Sequence, residues 1–540
     1  MHQQSSLLLA LTFPAALSAQ QPQSVPAAAV APSVTNPLKF APRPTTPAIT
    51  AADLMTRLYV FADDSMMGRE AGTEGNVKAA NYIAGQASQL GLRPAGENGT
   101  YFQTVPLVRR AFTGQSSLTV NGMPLTIGTD FAPAVARGTP RPVDGAAVVF
   151  GGVVGDTAQQ ITSAQAAGKV VVLGYPAGRP VAIPRFTAGT RFGEARAVAV
   201  VLPDTVVARY GRVMRNPSIT MRTAAGGAGG AAPLVIVVTP AAGARLIGVP
   251  VPGARPGVGG KTMRGTVGIS ETPAPARNVV AILPGTNARL RGQYVALGAH
   301  NDHVGYAPSA VDHDSLKAFN AAVRAANLAV DPEGDESLTP AQAAELERRT
   351  AAIVVNVDSL RRLRPARRDS INNGADDDGS GSMALLEIAE RMVRTSERPQ
   401  RSVLFVWHTA EEKGLLGSRH YADNPTVPRD SIVAQLNIDM IGRGTAGDAK
   451  RGGPNYVGLI GPKRLSTELA TLTLAVNRAQ PTPLDFDYAL DANGHPENIY
   501  CRSDHYNYAR YGIPIAFFFS GLHGDYHQVT DEPQYIDYPH

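Results

Sequence analysis

Residues 403–418 read VLFVWHTAEEKGLLGS, an apolar run that ends in two adjacent glutamates and a glycine-containing loop. The run has the length and the β-branched and aromatic content of a buried strand. Glu411 and Glu412 follow it, and the side chains of neighbouring residues point in different directions. One glutamate can therefore bind a metal ion while the other acts as a general base beside it.

A second run, at 295–303, reads VALGAHNDH and delivers His300 at the tip of a predicted strand. A metal-binding imidazole needs a carboxylate or a carbonyl oxygen to fix its tautomer, and Asp302 can supply one. The spacing of these two residues favours a metal ligand followed by the group that orients it.

The acidic turn at 374–381 reads GADDDGSG and precedes a predicted helix at 382–394. Three consecutive carboxylates repel one another, so a bound cation would relieve the crowding. Two ordinary readings stay open for the turn taken alone, namely a solvated acidic loop and a helix N-terminus that favours acids.

Two later strands also carry candidate groups. Asp439 is the one acid in the apolar run 436–442, and a buried carboxylate must be paired, hydrogen-bonded or bound to metal. Tyr526 and His527 lie in the loop beyond the apolar run 513–519. Because open α/β sheets build their sites at the carboxyl ends of strands, we expect all these groups to meet.

The resulting set contains imidazoles and carboxylates but no thiolate, which fits zinc or manganese. A bridging aspartate would suit two ions about 3.5–4 Å apart. The single cysteine, Cys501, allows neither an intramolecular disulfide nor a cysteine-based zinc site.

Composition narrows the class of protein. Of the 540 residues 44% are hydrophobic and 18% are charged, as in a globular chain. The net charge is only +5 and no block of like charges occurs, so no nucleic-acid partner is expected. The early apolar run, residues 7–17, is too short to span a membrane and has the character of a secretory signal. We therefore expect an exported protein, periplasmic or extracellular.

The composition and the predicted secondary structure change several times along the chain. Its middle part has β-rich runs and contains no histidine. The predicted organisation is a signal peptide at 1–19, a Pro/Ala-rich linker at 20–49, a first peptidase segment at 50–115, a β-rich insert at 116–270, and an α/β segment at 271–540 that contains a helical excursion at 307–370.

These motifs, taken in order, resemble the di-zinc exopeptidases of the aminopeptidase Y, bacterial leucyl aminopeptidase and glutamate carboxypeptidase type. The resemblance covers about 50–115 and 271–540, where GRE at 68–70 is similar to the start of the family's N-terminal helix. The insert is similar in position and texture to a protease-associated domain. The implied fold is an α/β domain with a mixed central sheet and helices on both faces.

The resemblance implies a peptide substrate, two Zn²⁺ ions per chain and a role for each motif residue. Glu411 becomes the general base, Asp302 the residue that orients His300, and Tyr526 an oxyanion donor. The implied metal ligands are His300, Asp377 as the bridge, Glu412, Asp439 and His527.

Two departures from the family pattern stand out. The family usually has asparagine where Asp378 stands, which adds a negative charge beside the bridge. The excursion at 307–370 is longer than the usual connection and is expected to alter access to the cleft.

Other activities share this scaffold. A carboxypeptidase would use the same ligands, because the metal set does not determine which chain end is held. A cyclotransferase of the glutaminyl cyclase type works with one zinc. A binding protein on a catalytically inactive peptidase scaffold would have lost metal ligands. The complete ligand set argues against the cyclotransferase and the binding protein. An aminopeptidase is the leading hypothesis, and a carboxypeptidase stays open as its alternative.

Overall fold

The computed structural model describes residues 36–540, except 114, 135–139, 177–189, 214–216, 223–231, 332–337 and 448–451. The predicted signal peptide at 1–19 and the first part of the predicted linker lie outside the described residues. Among the described helices, none combines the length and the apolar character needed to cross a membrane.

The strands in the described part of the chain fall into four sheets. In chain order they are β1 Arg93–Pro94, β2 Phe102–Val105, β3 Leu107–Phe112, β4 Ser117–Val120, β5 Met123–Leu125, β6 Phe131–Pro133, β7 Val143–Val153, β8 Val170–Gly174, β9 Ala197–Val201, β10 Ser218–Met221, β11 Leu234–Val238, β12 Gly259–Thr266, β13 Ile269–Pro273, β14 Ala276–Leu283, β15 Tyr294–His300, β16 Tyr306–Asp312, β17 Arg368–Ile371, β18 Ser402–His408, β19 Ile432–Ile438, β20 Tyr456–Ile460, β21 Asp485–Asp487 and β22 Ile515–Phe519.

The α-helices connect and cover these sheets. They are α1 Ala51–Phe61, α2 Glu74–Gln89, α3 Ser163–Ala166, α4 Asp204–Val213, α5 Pro240–Ile247, α6 His313–Val330, α7 Pro340–Ala351, α8 Val357–Leu363, α9 Gly381–Arg394, α10 Leu416–Asp423, α11 Pro462–Leu465, α12 Thr467–Arg478 and α13 His505–Ala509.

The central sheet has nine strands in the order β1-β14-β18-β15-β19-β22-β20-β21, with β2 also paired to β14. Its four middle strands, β18, β15, β19 and β22, are parallel, while β14 and β20 run antiparallel to them. The carboxyl ends of the middle strands therefore meet at one edge, which is where the predicted site residues follow.

Alternate residues of the middle strands pack on opposite faces of this sheet. On one face Phe405 and Trp407 lie in a core with residues of α1, α2 and α9. On the other face Leu404 and Val406 pack with Tyr421 of α10 and Tyr508 of α13, among others. This is the predicted α/β arrangement, a mixed sheet covered by helices on both faces.

A separate sheet of eight strands occupies the predicted insert, in the order β5-β4-β12-β7-β8-β9-β11-β6. Its middle strands β7, β8, β9 and β11 are also parallel, and hydrophobic clusters cover both of its faces. A short sheet, β10-β3-β13, stands apart from both larger sheets.

The excursion begins and ends in an antiparallel pair, β16 with β17, and carries α6, α7 and α8 between them. Helix α6 is the part that matters for the site, because it reaches the loop after β22.

The described part of the predicted linker differs from a free linker. Asn36 donates hydrogen bonds from Nδ2 to the carbonyl oxygens of Gln534 (3.2 Å) and Ile536 (2.8 Å). Thr45 donates to a carboxylate oxygen of Glu390 on α9 at 2.7 Å. Residues 36–49 are held against the α/β domain because side chains near both ends of the segment find partners there.

Candidate metal centre

The predicted site residues meet at the carboxyl edge of the middle strands. His300 is the last residue of β15, and Asp439 directly follows β19. Glu411 and Glu412 lie in the turn after β18, and His527 lies in the loop after β22. The architecture thus concentrates groups that are far apart in the chain.

Asp377 lies between two of the predicted histidines. Its Oδ1 is 3.1 Å from Nε2 of His300, and its Oδ2 is 3.0 Å from Nε2 of His527. The loop before α9 carries this residue, and its side chain is buried. A carboxylate that presents one oxygen to each of two imidazoles has the arrangement that a bridge between two ions requires.

One side of Asp377 forms a half-site with one imidazole, made of His300, Asp377 and Asp439. Nε2 of His300 lies 3.5 Å from Oδ1 of Asp439, in addition to its contact with Asp377. Oδ1 of Asp439 is buried and accepts no hydrogen bond from the described residues. We call this group the one-imidazole half-site.

The other side contains a residue that the sequence analysis did not select, His303. Glu412 contacts two imidazoles there, with Oε1 2.9 Å from Nδ1 of His303 and Oε2 2.9 Å from Nε2 of His527. Together with Asp377 these residues present one ligand atom each, all within 4.8 Å of one another. We call this group the two-imidazole half-site.

The donors fit a divalent metal. Nδ1 of His303, Oδ2 of Asp377, Oε1 of Glu412 and Nε2 of His527 are buried and have no hydrogen-bond partner among the described residues. Leaving so many buried polar atoms unpaired costs stability unless an ion binds them. Imidazole and carboxylate donors without thiolate suit zinc or manganese.

Electrostatics around the carboxylates follow from this crowding. Burial and Asp377 raise the pKa of Glu412, but His527 and His303 outweigh them and lower that pKa to about 2. Burial lowers the pKa of His527, but the carboxylates of Glu412 and Asp377 outweigh burial and raise that pKa to about 10. Without metal, the centre therefore favours charged carboxylates beside a protonated imidazole.

Asp302 makes two contacts that tie neighbouring residues to the site. Its carbonyl oxygen lies 3.1 Å from Nδ1 of His300, whereas its carboxylate oxygen Oδ1 is 3.8 Å from that nitrogen. The carboxylate instead accepts a hydrogen bond from the backbone N–H of Glu411 at 3.0 Å. Contact with His300 is thus made mainly by the carbonyl, and the carboxylate holds the backbone of Glu411.

The side chain of Glu411 belongs to neither half-site. Burial raises the pKa of its carboxyl well above the usual range, with Glu412 adding to the effect and His300 opposing it. The ring of Tyr526 stacks on the imidazole of His527, with ring centroids 3.8 Å apart. Its position beside a predicted ligand is compatible with the role expected of it, which stays a prediction.

Asp378 is turned toward backbone amides. Its Oδ2 accepts from the N–H of His300 at 2.8 Å, and its Oδ1 accepts from the N–H groups of Gly381 (3.0 Å) and Met440 (3.3 Å). This side chain therefore joins three segments of the centre, which gives the extra carboxylate a structural use.

The structure also shows a hydrogen-bonded chain behind Asp439. Asn437 donates from Nδ2 to Oγ of Ser503 at 2.9 Å, and Ser503 donates to Oδ2 of Asp439 at 2.7 Å. All three side chains are buried. Such outer contacts orient a metal-binding carboxylate. No periodicity or spacing in the chain links residue 503 to residue 439.

Arg69 supports the loop that carries Asp377. Its buried guanidinium donates to the carbonyl oxygens of Phe61 (3.1 Å) and Gly374 (2.8 Å), and also to that of Asn373. Burial lowers the pKa of Arg69 to about 10, although Asp377 and other carboxylates oppose that shift. The guanidinium satisfies carbonyls that a tight loop would otherwise leave unpaired.

Helix α6 of the excursion holds the loop that carries His527. Lys317 and Arg443 both form ion pairs with Asp525. Asn320 donates from Nδ2 to Oδ1 of Asp525 at 3.0 Å, and Thr530 donates to the same oxygen at 2.7 Å. The excursion is therefore part of the support of the centre.

Part of the chain is similar to a known peptidase family and to known aminopeptidases. Residues 344–540 match the model of peptidase family M28. A leupeptin-inactivating enzyme of Streptomyces exfoliatus is 31% identical over 169 residues, which is 31% of this chain and 33% of that protein. Leucine aminopeptidase 1 of Penicillium rubens is 30% identical over 175 residues, which is 31% of this chain and 43% of that protein. The chain thus spans less than half the length of these two relatives.

Among solved structures, an aminopeptidase from Aneurinibacillus sp. strain AM-1 aligns over 91% of this chain and 90% of its own, with 17% identity and a TM-score of 0.46. The family match bears out the expected resemblance to a peptidase family over residues 344–540. The likeness of the insert to a protease-associated domain stays a prediction.

Proposed function

We propose that this chain, whose residues 344–540 are a peptidase family M28 region, is an exported zinc-dependent aminopeptidase that uses two ions to remove N-terminal residues from peptides. The observation that carries the proposal is the placement of Asp377, whose two oxygens face His300 and His527. The names of the relatives add weight to an aminopeptidase over a carboxypeptidase.

The roles of the residues follow from where they lie. His300, Asp439 and Asp377 would hold one ion, and Glu412, His527 and Asp377 would hold the other. Bound zinc would supply a Lewis acid for the scissile carbonyl and would lower the pKa of water.

Glu411 is the general base. It is adjacent to a ligand but belongs to neither half-site, and its backbone is fixed by Asp302. Its carboxylate takes the proton of the attacking water and delivers that proton to the leaving amine. Tyr526, stacked on His527, donates its hydroxyl hydrogen toward the oxyanion.

The test is a panel of peptides blocked at one end or the other, assayed with the zinc-loaded full chain and again after chelation. Cleavage that needs a free amino terminus, stops on chelation and returns with zinc is the expected result. Cleavage that needs a free carboxyl terminus would assign a carboxypeptidase instead. If the protein binds one zinc and cyclises N-terminal glutamine, both peptidase assignments would be wrong and the protein would be a cyclotransferase.

We also propose that the insert and the excursion wall the cleft and restrict it to short peptides. The contact of α6 with the loop of His527 supports this, since it brings the excursion beside the centre. Rates for a peptide series of increasing length test the idea. Rates that do not fall with length would contradict it.

A further inference from the structure

His303 is a buried histidine without a conventional partner. Its side chain has no exposed surface, and neither ring nitrogen has a hydrogen-bond partner among the described residues. A neutral imidazole has one donor and one acceptor nitrogen, and burying both unpaired is costly. The ring is therefore placed where something else must bind it.

The fold makes room for this ring. Gly374 has φ of +54°, and a Cβ added there would lie 2.5 Å from Cγ of His303. The backbone N–H of His303 is meanwhile fixed by the carbonyl oxygen of Arg69 at 3.2 Å. A glycine on one side and a fixed backbone on the other hold the ring in the centre.

The contacts of Nδ1 of His303 are those expected of a metal ligand. Nδ1 of His303 lies 2.9 Å from Oε1 of Glu412 and 3.7 Å from Oδ2 of Asp377. Although the shorter distance is that of a hydrogen bond, neither Nδ1 nor Oε1 makes one among the described residues. Nδ1 of His303 and Oε1 of Glu412 are therefore close neighbours that do not hydrogen-bond to each other. Two ligand atoms of one metal ion have this relation, because each directs its lone pair at the ion and not at the other atom.

We propose that His303 binds metal through Nδ1, which makes the two ions of the proposed function unequal. The two-imidazole half-site then has four protein ligands and is closed. The one-imidazole half-site has three and keeps an open position. Asp378 also lies near His300 and Asp439, but both of its carboxylate oxygens already accept backbone hydrogen bonds. Closed four-ligand sites are typical of structural zinc, and three-ligand sites with an open position are typical of catalytic zinc. The closed half-site fills first and the open one receives the substrate.

The test is a zinc titration of the metal-stripped full chain with a competing chromophoric chelator. X-ray absorption of the protein loaded with one equivalent of zinc then counts the imidazoles around that ion. We expect two binding steps in the unaltered chain, and two imidazoles at the first ion. Without His303 as a ligand, each half-site offers one imidazole, so a count of one would overturn the proposal without any variant.

His303→Asn should weaken the first step by at least the roughly 10–100-fold seen when an outer contact is lost, and should reduce the imidazole count to one. His505→Asn is the matched control, because that histidine is equally buried but bonds the carbonyl oxygen of Tyr500. Asp439→Asn should abolish the second step and leave the first. A weaker first step with two imidazoles retained in His303→Asn would make this residue an orienting group and refute ligation.

These readouts do not depend on turnover. Two imidazoles at the first ion with no peptide hydrolysis would uphold the inference and refute the proposed function. Peptide hydrolysis together with a single imidazole at the first ion would support the proposed function and refute ligation by His303.

Discussion

The two large sheets share a design and differ in chemistry. Each has four parallel strands in its middle, β18, β15, β19 and β22 in one and β7, β8, β9 and β11 in the other. In the central sheet the ends of these strands and the loops after them carry histidines, aspartates and glutamates. Residues 116–270, which supply the other sheet, contain no histidine. Strand geometry offers a place for a site, and the residues that follow the strands decide whether one forms.

The comparison is sharpest at single positions. Asp439 and Thr239 are each the first residue after a middle parallel strand, and both are buried. Asp439 faces His300, whereas Thr239 accepts a hydrogen bond from the N–H of Ala242 and caps α5. Equivalent positions therefore carry a candidate metal ligand in one sheet and a helix cap in the other.

The largest effect is expected at the proposed general base, Glu411. Glu411→Gln should retain zinc and lose about 10²–10⁴-fold in kcat, because proton transfer is lost while the ligands are untouched. Steady-state rates and metal content measured on the same sample check this. Glu194→Gln in the insert is the control, since its exposed ion pair with Arg141 contributes little. Near-normal turnover in metal-loaded Glu411→Gln would remove this residue from the mechanism.

The next effect concerns the chain behind Asp439. Ser503→Ala should weaken zinc binding by about 10–100-fold, because Asp439 loses the hydroxyl that orients it. Competition with a chelator of known affinity measures the change. Ser402→Ala is the matched control, a buried serine at the opposite end of the sheet that donates to the carbonyl oxygen of Arg291. Equal affinities in the two variants would show that this hydrogen bond does not matter for metal.

Sensitivity to pH should also separate the sheets. Burial lowers the pKa of His505 to about 3, whereas an unfolded chain has about 6.5. The folded state therefore binds fewer protons, so stability is complete above pH 6.5 and falls as the pH drops toward 3. At pH 5 the loss is about 2 kcal/mol from this group alone.

His505→Gln should remove that part of the pH dependence. Denaturant unfolding of both proteins at pH 8 and pH 5 gives the difference, with the transition of the insert as an internal reference because it has no histidine. An unchanged pH slope in the variant would mean that His505 is protonated in the folded chain.

The smallest effect is expected at the cap of α5. Thr239→Ala should cost about 1 kcal/mol of stability and leave kcat/KM unchanged. Thermal unfolding and peptide hydrolysis measure the two quantities. A loss of activity without a loss of stability would contradict the division of labour between the sheets.

Much of the central sheet could be predicted from the sequence, because its strands are apolar runs and their ends carry ionisable groups. The meeting of His300, Asp439 and Glu412 followed from strand ends alone. Asp377 was selected among three adjacent aspartates only by its place in a family motif. Local sequence does not tell which of three neighbouring carboxylates turns inward.

His303 lies in the same run as His300, yet the sequence does not mark it as a candidate ligand. Its direction depends on Gly374 and Arg69, which are distant in the chain, so no local pattern indicates it. The same holds for Ser503, whose partner Asp439 is separated from it by 64 residues. Contacts that close long loops are fixed by tertiary packing and leave no periodicity.

The link between α6 and the loop of His527 has a kinetic consequence. Its hydrogen bonds join residues that are 205 to 210 positions apart in the chain. Helix α6 comes after β15 and the loop of His527 comes after β22, and both strands pair with β19. Pairing of these strands therefore brings the two segments together and shortens the loop that remains to be closed. During refolding, the sheet should form before the loop of His527 docks. Metal binding at the proposed two-imidazole half-site would then report the completion of the fold.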